Sequence, residues 1–401
     1  MATVLDSHRP RRISFMLGTL VLAGALLVGL VFGTRLGLLM LVGAALGISL
    51  YHAAFGFTAA WRVFISERRG RGLRAQMVML AIAVVLFFPA LGAGSLWGQE
   101  VSGFVAPIGV SVVVGAFLFG IGMQLGGGCA SGTLFTAGGG NARMVITLLF
   151  FIVGSLIGTA HFSWWMEWPA FAPVSLVHTF GAGGGIAASL ALFTAIAALT
   201  MLMERRRHGR LEEAPRANLG QGRWLTGPWP LLLGAVALAL LNFATLALAG
   251  RPWGITSAFA LWGAKAFELL GGDVSQWGYW QSPANAAALE SSVWSDITTV
   301  MNVGIILGAM VAATLAGRFA PTLRIPLGSV LAAVIGGLLL GYGARLAFGC
   351  NIGAYFSGIA SGSLHGWVWL VAGFAGNMLG LRLRPLFFDR PPGDRTRAKT
   401  S

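Results

Sequence analysis

The chain of 401 residues carries two cysteines, each inside a glycine-rich string: GIGMQLGGGCASGTLFTAGGG around Cys129 and GYGARLAFGCNIGAYFSGIASGS around Cys350. Two thiols in so long a chain are no disulfide framework, and neither a C-x-x-C nor a cofactor ligand set accompanies them, so redox enzymology is the weakest reading. At the start of a helix, a thiol meets free backbone N–H groups and the positive dipole end, which favours thiolate character or strong S–H donation. Such a helix start also holds anions. A soft sulfur centre suits a soft sulfur ligand, by analogy with metal preferences. One isolated cysteine reads first as a small buried hydrophobe; two at repeat-equivalent positions read as functional.

The neighbours of the thiols fit an anion path. Arg345 precedes Cys350 in an apolar run, where a charge is costly enough to be functional; it neutralises an anion, snorkels, or clamps backbone carbonyls. Asn351 and Ser131 line a site or cap short helices, and Gly128 and Gly349 directly precede the two cysteines. Lys265 forms an outer vestibule or snorkels at the interface. His52 and His365, near span ends, read as hydrogen-bonded structural residues. The glycines encode no nucleotide site: no GK[ST] follows them, and no strand-turn-helix setting surrounds them. No metal or cofactor is expected.

The elements that must position these residues are membrane helices. The chain is 56% hydrophobic and 10% charged, with 59 glycines and a mean hydropathy of +0.78, outside the usual composition of soluble domains. Apolar runs able to cross a core of roughly 30 Å with about 20 residues occur near 13–33, 37–55, 76–96, 105–127, 145–163, 185–203, 229–249, 300–317, 325–346 and 366–383. The first is too long, and lacks the cleavage site, to be a secretory signal. The expected fold is an all-α polytopic bundle of about ten spans in the lipid bilayer. Trp164, Trp165, Trp168, Trp277, Trp280 and Trp294 read as an interfacial belt.

The net charge of +14 does not indicate nucleic acid, because the arginines sit between apolar runs. With a cytoplasmic N-terminus, the inside segments hold 23 of the 27 Lys and Arg; Arg35, Arg251, Lys265 and Arg345 remain. The positive-inside rule therefore selects cytoplasmic N- and C-termini. No Asp or Glu falls inside a predicted span, which disfavours proton relays and cation cages.

Aligning Cys129 with Cys350 also aligns Gly120 with Gly341, Gly122 with Gly343, Leu125 with Leu346, Gly128 with Gly349, Gly132 with Gly353 and Phe135 with Phe356. Gln124 becomes the counterpart of Arg345, and GFTAA at 56–60 pairs with GITSA at 254–258. The span count runs the two cysteine elements in opposite directions, so the repeat is inverted, an arrangement that places transporter sites between interrupted helices. Strings so rich in Gly interrupt a lipid-facing helix, and non-helical backbone at membrane depth must be packed in protein or line a cavity. Short re-entrant helices are therefore expected after each thiol. The halves are 1–203 and 225–385, joined by a cytoplasmic linker at 204–224 and followed by a basic tail at 386–401.

GxGxxLxxGC ending at Cys129, GARLAFGCNIGAYFSGI at 343–359, SLHGW at 363–367 and FGFTAAWR at 55–62 resemble the YeeE/YedE family of sulfur-transport membrane proteins over nearly the whole chain. The resemblance implies an hourglass-shaped bundle in a bacterial inner membrane that imports thiosulfate or a related sulfur or selenium species such as sulfite, a persulfide or a selenium oxyanion. It implies a thiol relay through Cys129 and Cys350, with Arg345 and Asn351 inside the matching motif. Where the family often has a third cysteine, this chain has Gly56. No sulfurtransferase domain follows the last span, so any such acceptor is a separate cytosolic protein.

Overall fold

The structure, a computed structural model, describes residues 9–213, 223–319, 321 and 324–388. Residues 214–222 of the expected linker and 389–401 of the expected tail lie outside the described residues. The first half contains α1 (Arg9–Phe32), α2 (Thr34–Ala53), α3 (Phe57–Glu67), α4 (Arg71–Ala93) and α5 (Val110–Gly126). It continues through α6 (Ala130–Gly138), α7 (Ala142–Ala160), α8 (Phe162–Met166) and α9 (Leu176–His208). After α10 (Arg223–Thr226) come α11 (Leu231–Ala249), α12 (Thr256–Leu269), α13 (Pro283–Glu290), α14 (Ile297–Leu315) and α15 (Leu327–Leu346). A π-helical stretch, Asn351–Phe356, runs into α16 (Ser357–Ala360), and α17 (Leu364–Leu383) closes the bundle. The strands are two-residue pairs in the loops.

Among the described residues, 10 helical stretches are long and apolar enough to cross a membrane, as expected from hydropathy. Three of them are interrupted: 34–67 breaks between α2 and α3, 110–138 between α5 and α6, and 327–360 between α15 and the π-helical stretch. A fourth short helix, α12, has 14 residues, which at 1.5 Å per residue reaches about 21 Å and cannot cross alone. Lys265, expected in a short outer segment, lies on α12 itself.

Glycines let the long helices approach closely, the expected device where lipid removes the usual drive for burial. A Cβ on Gly43 of α2 would fall 2.9 Å from Met301 Cα of α14, and one on Gly308 of α14 would fall 2.7 Å from Ala44 Cα of α2. The long helices pack as α2 on α14, α11 on α4, α5 on α17 and α15 on α7, while α5 and α15 pack on each other.

Helix α9 runs to His208, past position 204 where the polar linker is expected to start. Its Glu204 has a fully buried side chain that accepts from Arg74 Nη1 at 2.7 Å, Arg69 Nη1 at 3.5 Å, Gly70 N at 3.1 Å and Glu212 N at 2.7 Å. This carboxylate pins the turn between α3 and α4. The tryptophans divide likewise: Trp164 and Trp168 are exposed as a belt requires, but Trp280 is buried and donates Nε1–H to Thr159 Oγ1 at 3.3 Å.

Candidate functional site

Each cysteine caps a short helix. Cys129, at φ −80° and ψ −172°, stands before α6, and its Sγ accepts from Gly132 N at 3.4 Å. Cys350, at φ −99° and ψ −167°, stands before the π-helical stretch and accepts from Ile352 N at 3.4 Å. Their carbonyls accept from the residue four positions on, Thr133 N at 2.8 Å and Ala354 N at 2.9 Å. The two starts share the extended cysteine and the carbonyl bond, although one opens an α-helix and the other a π-helical stretch.

Both preceding glycines are explained by that turn. At Gly349 φ is +150°, and a Cβ would lie 2.8 Å from Ala354 N; at Gly128 it would lie 3.1 Å from Thr133 N. Any side chain would be driven against the helix start that the cysteine caps.

Four short-helix starts meet here. The ring of Phe57, the first residue of α3, meets Tyr355 of the π-helical stretch edge-on at 5.8 Å, α6 packs against the same stretch, and both free thiols are buried. A Cβ on Gly353 would approach Gly254, just before α12, at 4.0 Å. Ser357 Oγ donates to the Trp253 carbonyl at 2.8 Å. The breaks themselves are satisfied, as backbone at this depth demands. Asn242 Oδ1 accepts from Trp253 N at 3.0 Å, Asn302 Nδ2 donates to the Ile255 carbonyl at 2.9 Å, and Trp369 Nε1 donates to the Gly349 carbonyl at 3.1 Å.

Space and unpaired polarity remain at the meeting point. Gly56 and Gly254, at the heads of α3 and α12, are half-buried, and a Cβ on either would meet nothing within 4 Å. Asn351 is fully buried with both side-chain polar atoms unpartnered. So are the Tyr355 hydroxyl, Trp253 Nε1 and Thr58 Oγ1. Buried polar groups normally find partners, and donors left unpaired beside open space are what a small anion needs.

The expected site residues do not all gather at this point. Ser131 does, its Oγ 3.4 Å from Cys129 Sγ. Gln124 lies at the end of α5, where Nε2 donates to Asn377 Oδ1 at 2.6 Å and to the Thr58 carbonyl at 3.3 Å, tying α5 to α3 and α17. Arg345, near the end of α15, donates to Tyr279 Oη at 2.6 Å and Thr256 Oγ1 at 3.2 Å. Lys265 Nζ donates to the Leu289 carbonyl, so its ammonium fastens the segment after α12. His365 is held by Ser363 Oγ at 3.1 Å, and the His52 ring packs against Trp229, centroids 5.3 Å apart.

Tyr355 lies inside the GARLAFGCNIGAYFSGI string without being singled out there, and Trp253 and Tyr279 fall outside the quoted motifs. The signal for Tyr355 is rarity: the chain has 4 tyrosines, and a hydroxyl inside an apolar run must be paired or used. Its ring stacks on Trp369 at 6.2 Å and meets Phe57 and Trp61 edge-on, which fixes the hydroxyl. Among the described residues no group of three or more His, Cys, Asp or Glu could hold a metal ion.

The profile of the Sulphur transport family matches residues 52–379. The thiosulfate transporter TsuA of Spirochaeta thermophila is 31% identical over 353 residues, covering 84% of this chain and 96% of that protein. TsuA of Escherichia coli is 25% identical, covering 83% of this chain and 90% of its own length. The probable transporter YedE of Escherichia coli is 34% identical over 168 residues, 41% of this chain and 40% of that protein. With a match spanning the breaks, both cysteine strings and the closing helix, this multi-pass membrane protein belongs to the YeeE/YedE family of sulphur transport.

Proposed function

We propose that the chain imports thiosulfate or a closely related small sulfur anion across a bacterial inner membrane, through a central path on which Cys350 and Cys129 are successive hydrogen-bonding stations. The observation that carries this reading is the duplicated cysteine cap: two buried free thiols, each at a short-helix start, beside unpaired buried donors and open space. Helix starts bring partial positive charge without a counter-ion of their own, and the buried carboxylate among the described residues, Glu204, is spent on Arg69, Arg74 and Gly70. The similarity to TsuA supports thiosulfate as the anion.

In this reading the two halves form an inverted repeat, so that α6 and the π-helical stretch enter from opposite faces. Oxyanion oxygens take the N–H and O–H donors while the terminal sulfur accepts S–H, first from Cys350 and then from Cys129, with Ser131 and Asn351 alongside. No bond is made or broken, and the protein acts as a transporter rather than an enzyme. A separate cytosolic sulfurtransferase takes the product. Radiolabelled uptake in cells stripped of their own sulfur importers tests the substrate. Uptake of thiosulfate supports the reading; movement of sulfite, a persulfide or a selenium oxyanion instead would keep the path and reject the substrate.

A further inference from the structure

Arg345 is a buried cation without a counter-ion. The residue is 7% exposed, and the ion pairs among the described residues, Arg69–Glu204, Arg71–Glu212 and Arg74–Glu204, do not include it. Its donors face neutral oxygens, Tyr279 Oη at 2.6 Å and Thr256 Oγ1 at 3.2 Å, while the guanidinium carbon lies 5.4 Å from the Tyr279 ring centroid. Nε is buried and unpartnered. A guanidinium offers five N–H donors in a planar fork suited to an oxyanion, and here most of that capacity is unspent. Gly158 of α7 makes room for the stem, since a Cβ there would lie 2.7 Å from Arg345 Cβ.

Tyr279 comes from the segment between α12 and α14, which is built as a cap. Val274, Trp280 and Leu289 form a buried cluster with Ala260, Leu261 and Ala264 of α12. Trp280 is tied to Thr159, Asn285 Nδ2 donates to the Tyr279 carbonyl at 2.8 Å, and Lys265 holds the Leu289 carbonyl. The Tyr279 side chain is only half-buried, with its ring edge-on to Phe162 at 5.2 Å. It can therefore swing while the cap beneath it stays anchored.

We propose that Arg345 is the first binding site for a small oxyanion and that the Tyr279 hydroxyl closes it. The arriving anion takes Nη1 from the phenol and engages the free Nε, the phenol swings aside, and Thr256 keeps the fork oriented. The inference rests on the importer reading and adds where the anion is first held and what it displaces.

The test is the concentration dependence of thiosulfate uptake by the full chain. Tyr279→Phe keeps the ring but removes the competing hydroxyl, so half-saturation should fall about threefold, the worth of a modest hydrogen bond. Arg345→Lys retains the charge but loses the fork and should raise half-saturation about tenfold, well beyond any loss in maximal rate. In the Arg345→Lys background, Tyr279→Phe should change nothing. Unaltered half-saturation in Tyr279→Phe, or an equal fall in both backgrounds, overturns the proposal. A second measurement separates it from the importer reading: heat stabilisation of the purified Cys129→Ala/Cys350→Ala double variant by thiosulfate. Stabilisation that weakens about tenfold with Arg345→Lys upholds the site even if no uptake is found. Stabilisation indifferent to Arg345→Lys refutes it even where uptake is robust.

Discussion

A buried amide with neither polar atom bonded costs a fold roughly 1–3 kcal/mol, and Asn351 keeps such an amide beside Cys350. Function should then be separable from stability at this one residue. Asn351→Leu is expected to leave the unfolding temperature of the purified protein unchanged or raised while cutting uptake at least about tenfold, a factor worth 1.4 kcal/mol of transition-state binding. Retained uptake would show that the amide contributes nothing to the path. Gly56 gives the complementary case, an absence of side chain: its φ of −129° and ψ of 128° suit any residue, and a Cβ there meets open space. Gly56→Leu should accumulate in membranes like the parent yet block uptake by filling that space, and normal uptake would place the void off the path. Cys129, Cys350, Asn351 and Ser131 were legible because a motif surrounds them. Tyr355, though inside the same string as Cys350, was passed over with Trp253 and Tyr279, since an aromatic in or beside an apolar run reads as core or belt until its neighbours are known. Trp280 fell to the same ambiguity, resolved only by its bond to Thr159.

Breaks, rather than spans, define the elements that build the site. Hydropathy reports the long helices well because a crossing needs a continuous apolar run, and glycine density correctly marked the interruptions before Cys129 and Cys350. It missed α12 as a half-helix because 14 residues carrying Lys265 and Glu268 fall short of any span criterion. It also cut α9 short at the first charges, whereas Glu204 stays helical by burying its carboxylate against Arg69, Arg74 and Gly70. That anchor fixes the far end of α3, whose other end packs its Phe57 ring on Tyr355. Glu204→Gln keeps the shape and removes the charge, and with the arginines partly exposed it should cost about 2 kcal/mol, the worth of charge-assisted hydrogen bonds. Thermal unfolding in detergent measures this, with the exposed Glu213→Gln as the control expected to change stability by under about 0.5 kcal/mol. Equal behaviour of the two variants would mean that Glu204 does not hold the turn.

Across the molecule, the charge distribution gives the proposed path a direction. Glu204 is bonded to Arg74 and Arg345 to Tyr279 of the cap; the positive-inside rule predicts the first group on the cytoplasmic side and the proposed path puts the second outside. A reporter active only outside the cytoplasm should be silent when fused after residue 388 and active when inserted near Gln281, and the reverse pattern would turn the importer round. In the proposed path both thiols act, one after the other, on the moving anion. The most direct test is radiolabelled thiosulfate uptake by cells lacking their own importers, comparing the parent with Cys129→Ala and Cys350→Ala at matched membrane abundance. Robust uptake by the parent and a fall of at least about tenfold in each variant are expected; parental uptake with either thiol removed would rule out the relay.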